Sequence, residues 1–333
     1  MVRRFAVAAI AVLFALGNEA RAQIPISPAI VYAPGGKIDN PMNASASRGV
    51  EKFKFPTGTQ VAEFEPADAS QIEPGLQNLA RIGYDPILLV GVSHIPALEK
   101  VSKEFPDRHF TLIDGIVNLP NVRSTLFKEH EGSFVVGVVA GLATRSGKIG
   151  FIGGMDIPVI RRFQCGFEFG IRHANARAEL ITSMIGTTPA AWNDPRRGGE
   201  LAKLQFDRGV DVVFAAAGES GLGALQMAKD RGKYAIGVDT DQNHLFPGTM
   251  LTSMVKRFDI AVFETFMYAR LQRWQAGRTV LGLKEGGVDW AIDQYNEQLI
   301  TDDMRTKVEQ ARAALISGDL VVPDYTVTNA CKR

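Results

Sequence analysis

Cysteine is almost missing from this 333-residue chain, which holds Cys165 and Cys331 and no other. Neither stands in a C-x-x-C pair, and the five histidines (94, 109, 130, 173 and 244) contain no H-x-x-x-H spacing, so no metal site is expected. In an oxidising compartment the two thiols invite a disulfide that ties the C-terminal tail to the body. One buried thiol and one frayed terminal thiol is the alternative, and the sequence leaves both open. Charge of one sign is lacking too. The chain has 37 basic and 36 acidic residues and no basic run interleaved with aromatics, which sets nucleic acid aside. Beyond the N-terminus no apolar run reaches about 18 residues, so no segment there is expected to insert in a bilayer. There is no G-x-S-x-G elbow, no G-x-G-x-x-G or G-x-x-x-x-G-K phosphate loop and no Cys/His pair. These absences argue against an enzyme and against a cofactor.

The N-terminus is present in a different style. Met1-Val2-Arg3-Arg4 is a basic head, and Phe5 to Gly17 is apolar, uncharged and too short to span ~30 Å of hydrocarbon. Ala20-Arg21-Ala22 is the small-x-small pattern of a cleavage site, so residues 1–22 are predicted to be a signal peptide that directs export to the periplasm. No cysteine stands at that site, which argues against a lipid anchor. Cleavage removes three arginines and one glutamate and leaves a net charge of −1.

The remaining length suits two domains of ~150 residues. Apolar strands are predicted at 29–33, 61–64, 86–91, 109–114, 148–153, 180–185, 211–217 and 234–239. Most are unbroken Val/Ile/Leu runs, the pattern of parallel strands buried on both faces. Amphipathic stretches lie between them, as at 69–83, 95–104, 157–174, 194–208 and 220–230, which makes βαβ units. The alternation breaks at 115–131, read as an extended crossover, and again after Asp239, where 250–256 is extended and one helix follows over 258–276. Those breaks favour two open, doubly wound parallel α/β sheets over one closed barrel. The expected lobes are 27–124 plus 252–285 and 125–251 plus 286–322, joined by a hinge, with a tail at 323–333.

In open parallel sheets a ligand sits beyond the carboxyl ends of the strands. Polar residues gather at those ends here: Asp39 and Asn40, Ser93 and His94, Asp114, Asp156, Trp192 and Asn193, Gly218 and Glu219, Asp239 and Asp241. The stretch KIGFIGGMDIPVIRRF (148–163), with Gly218–Gly223, GVDTDQ (237–242) and LTSMVKR (251–257), resembles the basic membrane protein family of ABC-transporter binding proteins, also called purine nucleoside receptors. The resemblance runs from about residue 29 to 276. It implies a type I periplasmic-binding fold that closes on a purine nucleoside or nucleobase and delivers it to a membrane permease, working as a monomer. Residue by residue, it implies that Asp39 and Asn43 contact ligand from the first loop and that Asp114 does so after the fourth strand. Trp192 is implied to stack on the base, and Asp239 with Lys256 to hold ribose hydroxyls. Chemically, carboxylates accept from vicinal hydroxyls, an ammonium donates to them, and an indole offers a flat apolar face.

This chain departs from the family's pattern in three places. Relatives often read DKSFN and then an aromatic; here DNPMN is followed by Ser47, which takes an aromatic from one side of the base. AAGGTG is replaced by AAGES, which puts Glu219 at the mouth, and His94 stands where an uncharged residue is common. Another polar nitrogenous solute in the same clamp is therefore the alternative to a purine.

Overall fold

The structure is a computed structural model that describes residues 25–38 and 40–331. The predicted signal peptide (1–22) and Asp39 lie outside the described residues. The chain begins with β1 (Ala29–Val31), α1 (Pro41–Thr57), β2 (Ala62–Phe64), α2 (Ile72–Ile82), β3 (Ile87–Val90), α3 (Ile95–Glu104), β4 (Phe110–Ile113) and β5 (Val122–Phe127). It continues through α4 (Glu129–Ala143), β6 (Lys148–Met155), α5 (Pro158–Ala174), β7 (Glu179–Gly186), α6 (Pro195–Asp207), β8 (Val212–Ala216) and α7 (Ser220–Asp230). Then come β9 (Tyr234–Asp239), β10 (Met250–Lys256), α8 (Phe258–Arg270), β11 (Gly277–Leu281), β12 (Val288–Trp290), α9 (Asp302–Ser317) and α10 (Tyr325–Thr328).

The strands form two six-stranded sheets, ordered β11-β5-β4-β3-β1-β2 and β12-β10-β9-β8-β6-β7. Every pairing is parallel except β10 with β12. All eight predicted strands are present, and the two-sheet plan replaces the barrel. Helices cover both faces of each sheet, so the central strands are buried on both sides, as their unbroken apolar runs require.

Several boundaries move. The segment 115–131 is no crossover: its second half is β5, hydrogen-bonded into the first sheet, followed by the start of α4. The expected lobe limits at 124 and 252 cut through β5 and β10, which belong whole to the first and second sheets. The helix expected over 258–276 ends at Arg270, and β11 then rejoins the first sheet beside β5. Helix α4 escaped the periodicity because it is apolar nearly all round and buried along most of its length.

Helices α4 and α5 pack unusually closely, and glycine is the reason. An added Cβ on Gly170 would lie 2.0 Å from the Phe134 carbonyl, and one on Gly166 would lie 2.3 Å from that of His130. Cys165, on the same helix, is bonded to Cys331, which answers the question the sequence left open. Among the described residues no helix is long and apolar enough to cross a membrane.

Candidate functional site

The aspartate just after β4 and the one that ends β9 share a rare backbone. Asp114 has φ 68° and Asp239 φ 63°, and they are two of only four non-glycine residues with positive φ among those described. Left-handed backbone costs energy for a residue with a Cβ and tends to persist where function or packing demands it. Here it turns a carboxylate from each sheet toward one lysine. Lys256, the last residue of β10, is buried, with Nζ 2.7 Å from Asp114 Oδ1 and 3.8 Å from Asp239 Oδ1. It also lies 5.2 Å from the centre of the Phe127 ring and 5.6 Å from that of Phe258.

A third carboxylate completes the set, and sequence reasoning missed it. Glu129, the first residue of α4, is buried with Oε1 3.7 Å from Lys256 Nζ. It stood inside the segment read as a crossover, so no strand end pointed to it. Burial pushes the Glu129 and Asp239 carboxyls up, against the pull of Lys256, while the three carboxylates hold Lys256 well above the usual ammonium range despite its own burial.

Asp239 carries the most informative atom. About a third of its side chain is open to solvent, yet Oδ1 is buried and has no hydrogen-bond partner; the lysine at 3.8 Å is too far to donate. An unpaired buried acceptor is costly, and a native structure rarely keeps one without a reason. The turn behind it is well fixed: Gln242 Oε1 accepts from the Val238 amide at 2.9 Å, and Ser253 Oγ accepts from the Gln242 amide at 3.0 Å. A cavity of about 420 Å³ borders Lys256 together with Ser45, Arg48, Thr240 and Trp290.

Trp192 is half-buried at the end of a short turn after β7. Its ring lies against the backbone of Gly154, at the end of β6, where an added Cβ would sit 2.2 Å from the indole. Ser220 Oγ fixes this turn by donating to the Ala191 carbonyl at 2.8 Å and accepting from the Asp194 amide at 2.7 Å. The serine follows Glu219 at the start of α7, and Gly218 and Glu219 themselves are exposed.

The other expected residues stand apart from the lysine cluster. Asn43 is fully buried; its amide donates to the carbonyls of Ala33 (2.8 Å) and Gly36 (2.9 Å) and accepts from the Ala33 amide (3.0 Å). Both of its amide hydrogens are thus spent on holding the first loop. His94 is also fully buried, between the carbonyls of Gly91 and Tyr32 at 3.1 Å each, and burial pushes its pKa down. Ser47, on α1, is half-buried and borders a separate hollow between α1 and α8.

His130 adds a pH dependence. Its Nδ1 accepts from Arg162 Nε at 3.1 Å, which requires the neutral ring, and burial beside that guanidinium lowers its pKa to about 4. The unfolded chain therefore binds this proton first, so stability should be lost as the pH falls from about 6.5 toward about 4. Between pH 7 and 5 the wild type should lose on the order of 1–2 kcal/mol more than His130→Asn, measured by urea unfolding. Equal losses in the two proteins would contradict it.

The profile described as ABC transporter substrate-binding protein PnrA-like matches residues 26–325. The chain belongs to the Bmp family. A CD4+ T-cell-stimulating antigen of Listeria monocytogenes is 33% identical over 89% of this Bmp chain and 87% of its own length. Basic membrane protein A of Borreliella burgdorferi is 29% identical over 86% of this chain and 84% of its own. Among solved structures, an ABC transporter solute-binding protein from Aeropyrum pernix aligns with TM-score 0.74 and 28% identity, over 90% of this chain and 94% of that one. One from Conexibacter woesei, with TM-score 0.73 and 24% identity over 90% and 99% of the two chains, shares the fold. The Bmp family is one of substrate-binding proteins, and the two-lobed architecture is the one the sequence implied.

Proposed function

We propose that the protein is exported and captures a purine nucleoside between its lobes, then presents it to the permease of an ABC importer. One observation carries this reading: carboxylates from both sheets converge on a buried lysine, and one of their oxygens, Asp239 Oδ1, lacks a donor. Vicinal ribose hydroxyls supply two donors, and they accept from the ammonium in return. Trp192, backed by Gly154, offers an apolar face for the base. Ligand contact with both lobes then favours the closed state.

The charge balance narrows the solute. Three carboxylates meet two cations, Lys256 and the Arg162 that pairs with Glu129, so an added phosphate would still meet net repulsion and a neutral, hydroxyl-rich ligand would not. A thermal-shift screen of the mature protein should therefore respond to adenosine, guanosine or inosine and not to adenosine monophosphate. A ligand at 100 times its Kd adds about 2.7 kcal/mol of stability. Trp192→Ala should weaken the nucleoside by about 1–3 kcal/mol, the range for aromatic–base stacking, as read by calorimetry. A shift with amino acids or sugars but with no nucleoside would overturn the proposal. A shift with amino acids or other nitrogenous metabolites would favour the second reading, a different polar nitrogenous solute, for which the exposed Glu219 and the serine at position 47 speak.

A further inference from the structure

Glu129 touches more than the lysine. Its Oε2 accepts from Arg162 Nη1 at 2.7 Å, and the same guanidinium donates to the Phe127 carbonyl at 2.9 Å, to His130 Nδ1 and to the carboxylate of Asp324. Asp324 caps α10 in the C-terminal tail, and α10 packs on α5. The tail is tied to that helix a second time by Cys331, bonded to Cys165, which lies one turn from Arg162. An unbroken set of charged contacts thus runs from Lys256, through the start of α4, to Asp324 in the tail.

We infer that Glu129, Arg162 and Asp324 are positioning residues that couple the disulfide-anchored tail to the ligand-site lysine. The inference rests on reading Asp114, Asp239 and Lys256 as the binding set. Lys256 is drawn by three carboxylates, and Glu129, at 3.7 Å, competes for it with Asp239, at 3.8 Å. How strongly Glu129 pulls depends on how far Arg162 neutralises it, and Asp324 takes a share of that guanidinium. Without Asp324, Arg162 turns wholly to Glu129, whose hold on Lys256 weakens. The ammonium, less firmly held overall, then swings within reach of Asp239 Oδ1 and competes with the ligand for that acceptor. The tail thereby keeps that oxygen free.

Two readouts test the chain of contacts in the full-length mature protein. The first needs no ligand: acetylation of Lys256 by acetic anhydride, followed by peptide mass spectrometry. Glu129→Gln should label faster than wild type by about 10-fold, and Asp324→Asn and the Cys165→Ser/Cys331→Ser pair by about 3-fold, with Asp324→Glu restoring the slow rate. Lys128, next to Glu129 in sequence but paired with Glu131, should label at the wild-type rate in all of them. The second readout is the Kd for adenosine by calorimetry, which should rise about 5-fold in Asp324→Asn and no further when Asp324→Asn is added to Glu129→Gln. Unchanged Lys256 labelling in both tail variants, general labelling of Lys128 as well, or multiplicative effects on Kd would overturn the inference. If wild type binds no adenosine, the functional proposal fails, and the labelling alone still judges the positioning chain.

Discussion

Lys256→Met should destabilise the protein by about 3–5 kcal/mol at pH 7 and abolish ligand binding. The lysine is buried and serves three carboxylates at once, from Asp114, Glu129 and Asp239. Replacing a whole buried ion cluster with apolar groups can be neutral, but removing its lysine leaves Asp114 and Asp239 without their cation and Glu129 with Arg162 alone. The deficit should also depend on pH in a definite direction. Without the ammonium, the folded state holds the Glu129 and Asp239 protons more tightly than the unfolded chain does, so acid favours folding of the variant. The stability gap between wild type and Lys256→Met should therefore narrow from pH 7 to pH 5. Urea unfolding at the two pH values measures it, and a gap that widens in acid would contradict the cluster.

Gly170→Ala should cost about 2–3 kcal/mol, although alanine is the better helix former by roughly 1 kcal/mol. The position is helical and the propensity argument alone predicts a gain. The space decides otherwise: the new methyl would lie 2.0 Å from the Phe134 carbonyl and 2.8 Å from the Val138 amide nitrogen, both backbone atoms that no rotamer change can move. Helices α4 and α5 would have to separate. Since α4 starts at Glu129 and α5 carries Arg162 and Cys165, separation should also loosen the contacts behind Lys256. Thermal or denaturant unfolding reads the sign, and a stabilised Gly170→Ala would show that the two helices are not held by this contact.

Much of this was legible beforehand. The strands 86–91, 109–114, 211–217 and 234–239 declare themselves because a parallel strand covered on both faces can hide its period and still show its apolar run. Asp114, Asp239 and Lys256 are legible as strand-end residues and as matches to a family pattern. Asn43 and His94 share the same address yet turn inward, since an amide or imidazole near a loop is as able to bind backbone as ligand.

The sequence by itself determined the two α/β lobes and the family, because those depend on short-range patterning and on motifs of consecutive residues. Only the tertiary structure decided that Cys165 meets Cys331 across a sequence separation of 166, that Glu129 joins the lysine, and that Asp239 keeps an oxygen unpaired. These depend on angstrom-scale distances between groups far apart in the chain, which no local pattern encodes.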